Sequence, residues 1–175
     1  MRLSPVALFL TLGLAASSTM GIGQRPDDQI NPKSMMFVDQ AAKARTAGNL
    51  NDAGGLLETA LAIDPRNRRA FIALAEVAEA QGLPGRAIRL YGEALVLEPN
   101  DLSALAGQGE AMVQKGAVER ARANLTRIQG LCKTGCPQQA ALAAAIAKGP
   151  PPTVLAAQAN DKVPPKGEEA KTTKP

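Results

Sequence analysis

From Ser34 to about Gly130 apolar residues recur at intervals of three and four, with polar residues filling the positions between. Over 70–81, Phe71, Leu74, Ala75 and Ala78 share one helical face. Over 86–97, Ala87, Leu90, Tyr91 and Ala94 do the same. Between these stretches stand Gly82 and Pro84. A residue without a Cβ takes the left-handed conformation that ends a helix, and proline's fixed φ suits the first turn of the next. Pro99 closes the second stretch, because proline lacks a donor and pushes the preceding Glu98 out of the helical region. The pattern predicts two short amphipathic helices folded on each other from Arg68 to Asp101. Ala75 and Ala87 let the backbones approach, and Phe71 and Tyr91 fill the space around them.

That unit has copies on both sides, each displaced by 34 residues. Gly48, Gly82 and Gly116 fall in register, as do Ala53, Ala87 and Ala121, and Phe37, Phe71 and Leu105. The fragments Ala60 to Pro65 and Ala94 to Pro99 are nearly the same sentence. A fixed period of this length signals a repeat architecture. Phe71, Leu74, Ala75, Ala87, Tyr91, Ala94 and Pro99 resemble the tetratricopeptide repeat (TPR), and the resemblance covers about 100 of the 175 residues. It implies an all-α fold, an α-solenoid of about three helix-turn-helix units at 34–67, 68–101 and 102–135. Departures are visible. Gln40 and Gln108 replace the family's Leu, Lys133 replaces the closing Pro, and Gly54 and Gly55 sit inside a helix of the first unit. The plainer alternative is a generic Ala-rich bundle, which the two in-register Ala-Leu-x-x-acid-Pro endings oppose. A stack of repeats exposes an apolar end, so the Ala-, Leu- and Ile-rich run at 137–148 is expected to cap it.

The ends are made of different material. Arg2, the apolar run Val6 to Ala16 and the small residues Ser17, Ser18 and Thr19 have the layout of a secretory signal peptide over 1–23. An uncleaved membrane anchor is the alternative, since one basic residue precedes the run. Residues 24–33, with Pro26 and Pro32, read as a linker. From Gly149 to Pro175 a Pro- and Lys-rich tail lacks the apolar content needed to offset its ordering entropy, and is expected to be disordered. These features predict export to the periplasm or secretion, with the membrane met only through the export signal.

Net charge is +4, and acids and bases alternate through 34–148 without a basic stripe, so no nucleic-acid partner is implied. The chain has no His, which removes the commonest general base and rules out Ser–His–Asp or Cys–His arrangements. No phosphate loop is present, and no small-molecule substrate or cofactor is suggested. Glu76 and Glu79, one turn apart, read as solvated charges rather than a catalytic pair. Cys132 and Cys136 admit three readings. A metal site lacks its remaining ligands. A redox motif has different spacing and a different fold setting. A structural disulfide fits an exported chain.

The resemblance also implies a place for binding, the groove lined by the first helix of each unit. Carried across position by position, it consists of Met35, Val38, Ala42 and Arg45, then Arg69, Ile72, Glu76 and Glu79, then Ser103, Ala106, Glu110 and Val113. The clamp that grips a C-terminal carboxylate in chaperone-binding members is missing, because Val38, Ala42, Ala106 and Glu110 occupy its places. Small apolar residues edged by Glu suit a protein segment with apolar anchors and one or two basic charges. The bland alternative is that some of these residues only cover neighbouring turns. The expectation is a non-catalytic interaction module that binds a peptide or helix of another protein in envelope complex assembly. An envelope enzyme or redox protein using the Cys pair is the alternative.

Overall fold

The computed structural model describes residues 29–160. Among them the chain forms α1 (Pro32–Thr46), α2 (Leu50–Ile63), α3 (Arg68–Ala80), α4 (Pro84–Leu97), α5 (Leu102–Gln114), α6 (Val118–Leu131), α7 (Pro137–Lys148) and α8 (Pro152–Asn160). Successive helices pack in hairpins, α1 on α2, α3 on α4 and α5 on α6, and α7 packs on α5 and α6. Contacts α1–α3, α3–α5 and α5–α7 set the first helices side by side. The result is an all-α solenoid.

The hairpin turns follow from the repeat. Gly48, Gly82 and Gly116 have φ of 81°, 72° and 79°, in the left-handed region. That twist lets the N–H of Asn49, Leu83 and Ala117 reach back to the carbonyls of Ala44, Ala78 and Met112 at 2.9, 2.8 and 2.8 Å. Otherwise-orphaned carbonyls at each helix end are thereby satisfied.

The joints between units are polar and satisfied. Asn67 caps α3, its Oδ1 accepting from Ala70 N (3.1 Å), while its Nδ2 donates to Ser34 Oγ (2.8 Å). Ser34 Oγ in turn donates to the Ala60 carbonyl (2.7 Å), so one buried network ties α1, α2 and α3 together. Asp101, in the place equivalent to Asn67, caps α5 through Ala104 N (2.8 Å) and pairs with Arg68 at the start of α3 (3.2 Å).

Gln108, where the repeat favours Leu, is explained by its partners. Its Nε2 donates to the Ile88 carbonyl (3.2 Å), and its Oε1 accepts from buried Asn124 (3.0 Å), which also donates to the Leu105 carbonyl (3.0 Å). A satisfied polar network replaces an apolar knob between α4, α5 and α6. Gly109 brings α5 against α7, for Leu142 lies 2.6 Å from where a Cβ would stand. Leu142 is fully buried there, with Ile146 beside it.

Two boundaries differ from the sequence reading. The expected linker 24–33 ends earlier. Ile30 is buried, Asn31 caps α1 by accepting from Lys33 N, and Pro32 and Lys33 already belong to the helix. Pro32 reads as a linker residue, yet its fixed φ suits the first helical position equally well. Residues 152–160, expected to be part of a disordered tail, instead form α8. Pro152 starts that helix, and the Val-Leu-Ala-Ala run behind it carries good helix formers that the surrounding prolines disguise. The expected signal peptide at 1–23, the first part of the linker, and the tail from 161 lie outside the described residues.

Candidate binding groove

The side-by-side first helices enclose a groove of three connected depressions. The first, about 340 Å³, is lined by Val38 of α1, Arg68, Arg69, Ile72, Ala73 and Glu76 of α3, and Asp101 and Ser103 at the start of α5. Glu76 and Ser103 lead into the second, about 370 Å³, which adds Glu79, Tyr91, Ala106, Gly107 and Glu110, closed by Pro137, Gln138 and Ala141 of α7. Glu110 leads into the third, about 710 Å³, formed with Val113, Gln114, Ala145, Lys148, the link Gly149–Pro151, Pro152 and Leu155.

Nine of the residues singled out in the sequence line these depressions: Val38, Arg69, Ile72, Glu76, Glu79, Ser103, Ala106, Glu110 and Val113. Val38, Ala106 and Val113 are themselves buried, so they form floor rather than protruding contacts. Met35 and Arg45 do not line these three depressions. Met35 packs under the first joint, with Asn67 Nδ2 3.6 Å from its sulfur. Arg45 reaches from α1 to α3 and pairs with Glu76 at the rim, so two expected ligand contacts instead satisfy each other. Ala42 is exposed on α1.

The acidic character of the middle depression is held by Glu79 and Glu110. Glu79 is half-buried, and its Oε2 accepts a hydrogen bond from Tyr91 Oη at 2.8 Å. Its Oε1 is shielded from solvent and accepts no hydrogen bond. Burial pushes the Glu79 carboxyl above the ordinary 4.5, opposed by the Tyr91 bond and reinforced by the charges of Glu110 and Glu76. Burial also raises Glu110. Burial first, and then the Glu79 charge and hydrogen bond, raise the Tyr91 hydroxyl well above 10, so it stays a donor at neutral pH. A desolvated carboxylate oxygen with no donor favours a cation brought to it.

Two contributors were missed in the sequence. Tyr91 was read as packing alone, although a buried phenol needs a partner for its hydroxyl and a carboxylate twelve residues earlier supplies it. The other is α7, read as a cap and present also as the groove's third wall.

Cys132 and Cys136 are joined by a disulfide, with Cα atoms 6.0 Å apart. Both sulfur-bearing residues are partly buried against the cluster of Leu105, Ile128 and Leu142.

No protein-family model matches the sequence, and no curated protein matches it. Solved structures do. The TPR domain of Sgt2 from Aspergillus fumigatus superposes with a TM-score of 0.62 at 19% identity, over 82% of this chain and 92% of that one. The first TPR domain of Spaghetti, bound to the HSP90 peptide SRMEEVD, gives 0.60 at 17% identity over 66% and 91%. The Yersinia enterocolitica type III secretion chaperone SycD, in complex with a peptide of the translocator YopD, gives 0.59 at 19% identity over 77% and 99%. With the helix pairs, the glycine turns and the 34-residue register, these likenesses establish the tetratricopeptide-repeat fold for this chain.

Proposed function

We propose that this chain is a non-catalytic protein-interaction module that takes an extended or helical segment of a partner protein into the groove. The observation that carries this reading is the middle depression, where an apolar floor at Ala106 is edged by Glu79 and Glu110. Such a surface selects a segment with apolar anchors and one or two basic side chains. Spaghetti and SycD, which share the fold, are seen with peptides bound. The Spaghetti peptide is acidic, and the carboxylates here repel such a ligand. A basic ligand is thereby favoured over an acidic one.

The Arg2-to-Ala16 segment and the cysteine bridge support exposure to an oxidising compartment, and we place the protein in the periplasm or outside the cell, serving assembly of envelope complexes. The bridge stitches α6 to α7 against the core, which favours a structural role over redox turnover.

The test uses a synthetic peptide bearing two Leu and two Lys and its Glu-for-Lys counterpart, measured by calorimetry against the full chain. The basic peptide should bind at least tenfold more tightly, and Glu110→Lys should remove that preference while circular dichroism is unchanged. Equal affinity for both peptides, or an unaltered preference in Glu110→Lys, overturns the reading.

A further inference from the structure

We propose that the third depression, between α5, α7 and α8, is a subsite for one large apolar side chain of the partner, aromatic by preference, with a basic residue of the same segment beside it on Glu110. The inference rests on the groove being the binding face, and adds to it the residue pattern that the partner carries.

The walls of this subsite are held in place by the chain itself. Gly149 ends α7 with φ of 76°, and Pro150, Pro151 and Pro152 lead from it into α8. Proline's fixed φ leaves such a link little freedom. The Pro151 carbonyl accepts from Val154 N (3.0 Å) and Leu155 N (3.3 Å), which starts the helix directly behind the link. Val154 and Gln158 then seat α8 on the turn at Gly116, where both crowd the place a Cβ would take. Leu155 lines the depression and stays half exposed. A surface formed in advance costs a ligand less ordering than one that must assemble around it.

The size and chemistry of the depression point to a bulky carbon group. At about 710 Å³ it is about twice as large as the other two, at about 340 and 370 Å³. Buried Val113, half-buried Ala145, the three prolines and Leu155 line it. Proline has no N–H, so the link offers a guest ring carbons and carbonyls but no donor. Aromatic side chains bury the most area for the fewest rotatable bonds, and therefore gain most from such a surface.

The charges set what stands next to that group. Glu110 is shared with the middle depression, where Glu79 Oε1 is shielded from solvent and accepts no hydrogen bond. A cation at Glu110 thus lies at the edge of the apolar subsite. In an extended segment alternate side chains share a face about 7 Å apart, so the fitting pattern is a basic residue two positions from the large apolar one. Besides Glu110 the lining carries one charge, Lys148, which disfavours a second basic residue on the far side of the apolar group.

The test uses the full chain and three synthetic peptides: one with Lys two positions from Phe, the same peptide with Ala for Phe, and an isomer with Lys and Phe six positions apart. By calorimetry, Ala for Phe should weaken binding to wild type about tenfold and to Leu155→Ser only about threefold, because the variant has lost part of the apolar wall. The isomer should bind more weakly than the parent, since about 20 Å of extended chain separates its two groups. Methyl NMR locates the ring: a phenyl group in the depression shifts the Val113 and Leu155 methyls through its ring current, and leaves those of Leu57 and Val96 unmoved.

If Ala for Phe costs the same in wild type and Leu155→Ser, or the Val113 and Leu155 methyls do not move, the subsite falls, and a Glu110→Lys variant that still loses its preference for basic peptides leaves the groove standing. An isomer that binds as tightly as the parent overturns the pairing of the two residues. Shifts at Val113 and Leu155 that grow with protein concentration in the absence of peptide put a second copy of the chain in the depression, and overturn the proposal. If Glu110→Lys changes nothing, the groove reading falls and the subsite with it.

Discussion

At the scale of single residues, Glu79 is where folding and binding conflict. Its carboxylate gains the Tyr91 hydrogen bond but is desolvated beside Glu110 and Glu76, and the balance raises its pKa in the fold. A carboxyl with a raised folded pKa has its full stabilising share below the unfolded value, when protonated in both states. It loses that share as pH rises through the folded value. Wild type should therefore lose stability relative to Glu79→Gln as pH climbs above about 4.5, and the gap should be smallest at pH 4. Gln keeps an acceptor for Tyr91, so the hydrogen bond itself is not what changes. Thermal melts of both proteins from pH 4 to pH 8 decide it, and a gap that shrinks with rising pH contradicts the assignment. The residue level was the least legible in the sequence. Spacing put Glu76 and Glu79 on one helix face, but gave no means of telling that one pairs with Arg45 across a helix boundary while the other sinks toward Tyr91. Those outcomes depend on side chains one repeat or half a repeat away, beyond the reach of any local pattern.

At the scale of helices the sequence was far more informative, because each unit buries itself mainly against its neighbours and so writes its contacts at fixed spacing. Helix pairs, glycine turns and closing prolines were all readable from the period. What the period hid were its exceptions. Gln108 looks like a fault until Asn124 and the Ile88 carbonyl are seen around it, and α8 looks like tail because prolines surround it. Gly54 and Gly55 are a different case, since both lie within α2 and a Cβ at either meets nothing within 4 Å. They relax the first unit without serving its packing. Gly55→Ala should accordingly stabilise the protein by about 0.5–1 kcal/mol, the difference in helix propensity. Gly107 lies in α5 with equally ordinary backbone, but the Tyr91 ring occupies the space its Cβ would need. Gly107→Ala should cost about 1–3 kcal/mol through displacement of that ring. Chemical denaturation of the two variants separates them, and a like sign for both would mean that the packing of α5 on α4 is misassigned.

Over the whole molecule, stability should be graded along the stack rather than uniform, and the disulfide marks where the grading is steepest. The first two units close with Asp64-Pro65 and Glu98-Pro99, and each hands on to a capped helix through Asn67 or Asp101. The third has no such ending. Lys133 stands in place of the proline, α6 stops at Leu131, and α7 begins at Pro137 without a side-chain cap. The bridge from Cys132 to Cys136 spans that gap and fixes where α7 lies on α5 and α6, hence also the third wall of the groove. For so short a loop, chain entropy gives about 2 kcal/mol of stabilisation. In a solenoid that loss is felt first by the elements the bridge joins, since a unit contacts only its neighbours. Reduction should raise amide hydrogen exchange in α6 and α7 well before α3 and α4, and should weaken the basic peptide because Gln138 and Ala141 no longer wall the middle depression. Exchange that rises evenly from α1 to α7 would show a single cooperative unit, and would remove the bridge from any part in shaping the groove.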